Sequence, residues 1–384
     1  MKNSQETKQD YINLINNTKI NNKSEEVVFN IHFVGNPFLE ITGNVKNEFN
    51  VQFYDNQKLI HSSKLKCNMW TRVNRKYFTN WNIKVYDKEK LVFEDKIDLK
   101  NKKVYISIDS KSLGDTIAWV PYLEEFRKKH ECKLIASTFW NHFFEKTYEN
   151  IEFINPGGVV NDLYAMYSLG WFYNNDSEPE LPNTISLQKS ASNILGLEHE
   201  EIKPDLYFIP KESPYQEKYV TIAPHSTAGL KFWNNETGWE EVIDFLIKNG
   251  YKVVNISKEG CEFKGVESLK DYSIENTMNV IHHSEFMIGL SSGLSWLAWA
   301  LGKHVVMISN FTEKDHEFTE NCTRIINESV CNGCWNNPNF KFDKGDWNWC
   351  PINKNTKKQF ECHKKITGNM VIEKIKEFRN PPQK

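Results

Sequence analysis

The stretch Ser107-Ile-Asp-Ser-Lys-Ser-Leu-Gly-Asp-Thr-Ile-Ala-Trp119 decides how the chain is read. The apolar run 104–108 ahead of it has the length of a buried strand, and residues 116–130 behind it carry apolar side chains at helical spacing. Strand, tight loop and helix start follow one another. Gly114 suits a sharp turn, and Asp115 stands where a helix N-cap is expected. The amides of the first helical turn face the crevice at which doubly wound sheets bind ligands. Asp115 is then either a cap alone or a general base at the mouth of a cleft.

Outward from this loop, strands and helices alternate. Residues 133–137 and 151–154 read as strands, with helices at 116–130 and 139–148. Residues 174–210, with several prolines and acids and a helix at 187–195, form a crossover. A second series follows, with strands at 219–223, 251–256, 286–290 and 304–309 and helices at 239–248, 274–283 and 293–301. Such alternation implies parallel sheets, and two of them facing each other leave a cleft at the carboxyl ends of their strands. Upstream, the short alternating runs 27–34, 39–45, 49–54, 58–67 and 81–86 read as a small antiparallel β domain, a sandwich or barrel. Residues 70–81 mix aromatic and basic side chains, as a solvated hairpin or a surface for an acceptor polypeptide would. An amphipathic helix at 367–378 closes the chain.

Composition bounds the partners. In 384 residues, 39% hydrophobic and 26% charged with a net charge of −2, nothing points to nucleic acid. No apolar run approaches the roughly 20 residues a membrane span needs. Residues 1–25 are polar and lack the apolar core of a signal peptide, so a cytoplasmic location is expected. Twelve Trp, 15 Tyr and 24 Phe suit sugar stacking, although cores and interfaces use aromatics too. Eight cysteines in that compartment argue for buried thiols or metal ligands before disulfides.

Three further stretches carry chemistry. Ser291-Ser-Gly-Leu-Ser-Trp296 follows a strand and opens a helix, whose amides and dipole suit a phosphate. Its spacing is neither G-x-G-x-x-G nor a Walker A loop, which disfavours a nicotinamide cofactor or a P-loop nucleotide; a tight turn without a ligand is the plain alternative. His225-Ser-Thr-Ala-Gly-Leu-Lys-Phe-Trp233 lies on the same edge of its sheet. There Lys231 can bring a point charge to a diphosphate and Ser226 and Thr227 their hydroxyls, where a bland reading makes Lys231 a solvated lysine. Cys331-Asn-Gly-Cys334 with Cys350 and Cys362 offers four thiolates, a tetrahedral set suited to a structural zinc or single iron with no open position; the alternative is buried free thiols. The Trp-, Asn-, Pro- and Gly-rich residues between them are not expected to form a core of their own.

Taken together these stretches resemble the bacterial autotransporter heptosyltransferase family, cytoplasmic protein O-glycosyltransferases, and more distantly the lipopolysaccharide heptosyltransferases. The likeness runs over nearly the whole chain. It rests on an N-terminal β domain, Ser112-Leu-Gly-Asp-Thr-Ile-Ala-Trp119, Lys231-Phe-Trp233 leading to Gly238-Trp239, Ser292-Gly-Leu-Ser-Trp-Leu-Ala-Trp-Ala-Leu301 and the cysteine finger. The resemblance implies an α/β GT-B fold: two Rossmann-like domains facing a cleft, an N-terminal antiparallel β domain and a C-terminal four-cysteine metal finger. The expected division is a polar tail at 1–25, the β domain at 26–100, an acceptor-side domain at 101–205, a nucleotide-sugar domain at 206–325, the finger at 326–366 and a terminal helix and tail at 367–384.

The same resemblance implies ADP-heptose as donor, serine hydroxyls of an autotransporter adhesin as acceptor, iron in the finger and a dodecameric homo-oligomer. It makes Asp115 the base, with Gly114 and Thr116 supporting its loop. Lys231, Ser226, Thr227, Ser291, Ser292, Gly293 and Leu294 form the donor side. The lipopolysaccharide enzymes carry Asp-Thr-Gly-Leu-Ser-His at the second loop; here Ser291 and Ser292 replace the first pair and Trp296 the His, which favours the protein-modifying branch. A heptosyltransferase for a lipid-linked core would work at a membrane surface, and no strongly basic amphipathic helix is present to hold it there. A catalytically silent binding or assembly module is the reading from another class.

Overall fold

In the computed structural model, which describes residues 27–340, 342 and 346–379, the runs read as buried strands pair in parallel. The expected polar tail at 1–25 lies outside these residues. The N-terminal runs form β1 (Val28–Val34), β2 (Phe38–Thr42), β3 (Phe49–Asp55), β4 (Lys58–Leu65), β5 (Met69–Arg72), β6 (Trp81–Asp87) and β7 (Lys90–Lys96). Next come β8 (Lys103–Ile108), β9 (Lys133–Ser137), β10 (Glu152–Ile154) and β11 (Ala165–Leu169). The second series is β12 (Tyr219–Ile222), β13 (Lys252–Asn255), β14 (Val266–Ser268), β15 (Met287–Leu290), β16 (Val305–Ile308) and β17 (Cys322–Ile325). One sheet runs β10-β9-β8-β11-β1-β2-β5, and the other, parallel throughout, runs β14-β13-β12-β15-β16-β17. These are the front and rear lobes.

The N-terminal region differs from the expected free-standing domain. Its strands are antiparallel to one another, but β1 pairs in parallel with β11, Phe33 opposite Ala165, and β2 and β5 extend that sheet. Strands β3, β4, β6 and β7 form a four-stranded antiparallel sheet of their own, in the order β4-β3-β6-β7. The division expected at residue 100 therefore passes through one continuous sheet. Alternation tells which face a strand buries, not which strand lies beside it. Residues 70–81 are no hairpin either: Trp70 sits on the edge strand β5, half exposed, and Trp81 is buried, with the Arg75 guanidinium 5.3 Å from its ring.

The helix expected over 116–130 is two, Leu113–Trp119 and Pro121–His130, and Pro121 opens the second because it has no N–H to continue the first. At 139–148 only a short 3-10 turn forms, Asn141–Phe143. The Asn141 side chain accepts from the Thr138 amide (2.8 Å) and donates to the Ile154 carbonyl (2.7 Å), diverting the backbone from a longer helix. Helices Leu187–Leu195, Gly238–Lys248, Ile274–His283, Gly293–Ala300 and Gly368–Arg379 form within a residue of their expected bounds. The last joins the rear lobe, burying Val371 and Ile375 with Val242, Ile243 and Leu246, while Trp233 Nε1 donates to the Ile366 carbonyl at 2.8 Å. Each such buried aliphatic side chain contributes about 1.5–3 kcal/mol. Among the described residues no helix is long and apolar enough to cross a membrane.

Candidate active site

Both lobes present a strand, a turn and a helix N-terminus at the same gap. In the front lobe the cap is Ser112, whose hydroxyl accepts from the Asp115 amide at 3.4 Å, so Asp115 is the third residue of its helix and not the cap. Its Oδ2 accepts two bonds, from Ser110 Oγ at 2.6 Å and Trp171 Nε1 at 2.9 Å. Oδ1 has no hydrogen-bond partner among the described residues. Thr116 is fully buried beneath the loop and donates to the Ser112 carbonyl at 3.1 Å, bracing the turn from outside the cavity.

Gly114 does not make the sharp turn expected of it; it lies inside the helix. A Cβ there would sit 3.2 Å from Gly293 Cα and 3.2 Å from Trp296 Cδ1, so a hydrogen at this position lets the lobes approach. The contact is reciprocal, since a Cβ on Gly293 would lie 3.4 Å from the Gly114 amide nitrogen.

In the rear lobe Ser292 occupies the N-cap position of helix Gly293–Ala300, yet its side chain makes no cap bond. Its Oγ is buried without a partner, and so is Nδ1 of His225 in the neighbouring loop. The amides of Gly293 and Leu294 stand in a first turn that supplies no intrahelical partner. Ser291 instead donates its hydroxyl to Glu317, which also accepts from Thr312 Oγ1 (3.1 Å to each oxygen) and pairs with Arg324. Burial pushes the Glu317 pKa up, but Arg324, His316 and the Ser291 hydroxyl outweigh it and hold the carboxyl down at about 2. Lys231 ends a short 3-10 turn, Gly229–Lys231, with Nζ 5.8 Å from the Phe311 ring. Removal from water lowers its pKa, against the opposing pull of Glu317 and Asp115.

Asp115 and Lys231 line one cavity of about 740 Å³ from opposite lobes. Gly114, Ser226, Thr227 and the loop Ser291, Ser292, Gly293, Leu294 line it too. That volume fits a small-molecule site of about 300–1,000 Å³. Trp140, Trp171 and Trp335 add aromatic walls. The sequence reading missed Trp171, His225, His316 and the Glu317–Arg324 pair. Trp171 follows β11, a strand that reading did not mark, and Glu313-Lys-Asp-His-Glu317 looks like a solvated charged loop.

Among the described residues no group of three or more His, Cys, Asp or Glu stands as a metal centre, so the expected four-cysteine finger is not displayed as an assembled site. Cys331, Cys334, Cys350 and Cys362 are all free thiols. Burial, and then the charges of Cys362, Cys350 and Cys331, push the Cys334 thiol up. The residues around them pack into a small core shared with Leu230, Phe311 and Trp171 from outside the segment. Phe311, Trp335, Phe342 and Trp347 pack together, Trp335 and Trp347 with ring centroids 5.0 Å apart.

The two lobes and the shared cleft define a GT-B-like glycosyltransferase, and comparison with known proteins agrees. A model of glycosyltransferase family 9 (heptosyltransferase) matches residues 172–346. The chain is 36% identical over 345 residues to the autotransporter heptosyltransferase Aah of Escherichia coli, covering 85% of this chain and 88% of that protein. It is 32% identical to the inactive autotransporter heptosyltransferase BimC of Burkholderia thailandensis, over 79% of this chain and 75% of that protein. The crystal structure of the iron-containing dodecameric glycosyltransferase TibC from enterotoxigenic E. coli H10407 superposes with a TM-score of 0.84 at 30% identity, covering 96% of this chain and 99% of TibC. TibC in complex with ADP-D-beta-D-heptose gives 0.83 at 30% identity, with 94% and 99% covered. This chain belongs to the autotransporter heptosyltransferase family.

Proposed function

We propose that the chain transfers heptose from ADP-heptose to serine hydroxyls of an autotransporter adhesin, in the cytoplasm. The observation that carries this is that Asp115 of the front lobe and Lys231 of the rear lobe line one cavity. Asp115 Oδ1 takes the proton of the acceptor hydroxyl; the serine oxygen bonds to the anomeric carbon as that carbon's bond to the diphosphate breaks. ADP leaves and the carbon is inverted. Lys231, the amides of Gly293 and Leu294 and the hydroxyls of Ser226, Thr227 and Ser292 receive the charge of the leaving diphosphate, while Ser291, whose proton goes to Glu317, braces the loop. These groups supply the positive field themselves, so the proposed step uses no metal. The front lobe then serves the acceptor and the rear lobe the nucleotide sugar.

Cys331, Cys334, Cys350 and Cys362 would hold a structural iron or zinc. Four free thiols in one segment have the donor chemistry for either ion, and the similar TibC contains iron. The ion would tie the finger to the rear lobe and take no part in transfer. TibC is dodecameric, which supports a homo-oligomer here. Elemental analysis and light scattering of the purified protein test both points; full metal content in Cys350→Ser would overturn this ligand set.

Incubating the protein with ADP-heptose and an adhesin fragment should raise the fragment's mass by one heptose per modified serine. The similarity to the inactive BimC keeps a silent module as the second reading. Donor binding without any mass increase would establish that reading, and transfer to a lipid-linked core alone would establish the membrane-surface alternative.

A further inference from the structure

Two donors converge on Asp115 Oδ2, Ser110 Oγ at 2.6 Å and Trp171 Nε1 at 2.9 Å, and they differ in origin. Ser110 sits on the same loop, where its hydroxyl also accepts from the Ser112 amide at 3.1 Å. Trp171 arrives from just beyond β11, 56 residues on. An indole N–H can only donate, so the direction of this bond is fixed by chemistry. Its usefulness depends on what keeps the indole in place.

The Trp171 ring packs against two other indoles, one from each lobe. Trp119 of the front lobe is fully buried, its ring centroid 6.0 Å from that of Trp171, and its own Nε1 donates to the Leu187 carbonyl at 2.8 Å. From the rear lobe Trp335 meets Trp171 edge to face, with centroids 5.6 Å apart and planes at 79°. Trp335 follows Cys334 directly and is 5% exposed. Its amide donates to the Phe311 carbonyl at 3.0 Å in its own lobe. Its carbonyl accepts from Asn183 Nδ2, also at 3.0 Å, just ahead of the helix Leu187–Leu195 that packs on β11. Phe311, Phe342 and Trp347 surround its ring, with centroids 5.7, 5.6 and 5.0 Å away. A ring packed and tethered in this way makes a firm backing for its neighbour.

We infer that Trp335 is a positioning residue for the transfer step: from the rear lobe it backs Trp171, and so fixes the indole N–H that holds the Asp115 carboxyl. The base is then fully braced only when the cysteine segment is seated against the front lobe. This rests on the proposed role of Asp115. Both indoles also line the cavity, so stacking on the sugar is the competing use of these rings. Stacking shows in donor affinity, whereas positioning of a base shows in turnover.

The test is transfer by the full-length protein from saturating ADP-heptose to an adhesin fragment, read by mass spectrometry, beside calorimetric titration with ADP-heptose. Trp171→Phe keeps a ring but removes the N–H, and should lower kcat about 10–100-fold with donor affinity within about threefold of wild type. Trp335→Ala should lower kcat about tenfold, and Trp335→Phe, which keeps a ring against Trp171, should recover most of that loss. Added to Trp171→Phe, Trp335→Ala should cost less than about twofold more, because both act through one hydrogen bond. In an Asp115→Asn background neither change should lower the residual rate by more than about twofold, where a merely structural role would lower it as much as in wild type. Equal losses with and without the Asp115 carboxylate, additive losses from the two tryptophans, an unchanged kcat in Trp335→Ala, or a loss confined to ADP-heptose affinity would each overturn the inference. Thermal melting checks folding, and Trp335→Leu replaces the alanine variant if that one fails to fold. Should Asp115→Asn transfer at the wild-type rate, the functional reading falls and this role with it; should Asp115→Asn be impaired and Trp335→Ala match wild type, only the role of Trp335 falls.

Discussion

The helix starts at Leu113 and at Gly293 are the same device put to opposite uses. Each follows a buried strand, each is preceded by serine, and the two touch where Gly114 meets Gly293. In the front lobe Ser112 caps its helix, and the first turn carries an acid held by Ser110 and Trp171. In the rear lobe Ser292 caps nothing, and its hydroxyl and the first amides stay available. The filled cap suits the base proposed above, and the empty one the proposed anion cradle.

Two buried carboxyls, one from each lobe, differ as well. Glu178, in the segment after Trp171, is 1% exposed with neither oxygen bonded, and burial pushes it up to about 8. Glu317, beside the rear turn, is kept ionised by Arg324 despite burial, at about 2. One side stores a neutral acid; the other spends an ion pair on orienting a serine.

The comparison breaks most sharply at Asp115. Asp115→Asn should cut the transfer rate by about 10²–10⁴-fold, the worth of a general base, with ADP affinity and melting temperature close to wild type. A rate near wild type, read by mass spectrometry, would remove the catalytic role of the front turn. Gly114→Ala comes next: its methyl meets Gly293 Cα and Trp296 at 3.2 Å, so overpacking should cost about 1–3 kcal/mol in denaturant unfolding and lower transfer as the lobes part.

The two serines sharpen the contrast. Ser112→Ala should lose about 1 kcal/mol of stability and leave ADP binding unchanged. Ser292→Ala should leave stability nearly unchanged, because its hydroxyl bonds nothing, and weaken ADP binding several-fold. If both variants behave alike, the caps are equivalent and the distinction fails.

The smallest expected effect is on pH. A carboxyl whose folded pKa lies above its unfolded value gives most stability at low pH, and that share is lost as pH rises from the ordinary carboxylate range to about 8. Glu178→Gln should therefore flatten the fall in stability over this window. Glu317 works with the opposite sign, its share being present above the ordinary carboxylate pKa and lost as pH falls toward about 2. Urea unfolding of wild type and Glu178→Gln across pH 5–8 measures the first term, and parallel curves would show that Glu178 is ionised in the folded chain.

Much of the cleft was legible in residue order. Asp115, Lys231 and the 291–294 loop each stand at the end of an apolar run, where a parallel sheet brings successive loops to one edge whatever the details of packing. The supporting groups were not legible. Trp171 and Glu317 reach Asp115 and Ser291 across 56 and 26 residues of chain, and no local pattern marks such partners. The cap was misplaced by three residues because serine and aspartate are both good caps, and only the backbone at Ser112 decides between them.

By itself the sequence determined the two parallel α/β units, the helices of the rear lobe and the strand ends whose loops line the cleft, since periodicity and turn chemistry are local properties. Only the tertiary structure decided that β1, β2 and β5 join the front sheet and that two glycines set the closeness of the lobes. Those outcomes depend on which surfaces meet, and surfaces meet through contacts between residues far apart in the chain.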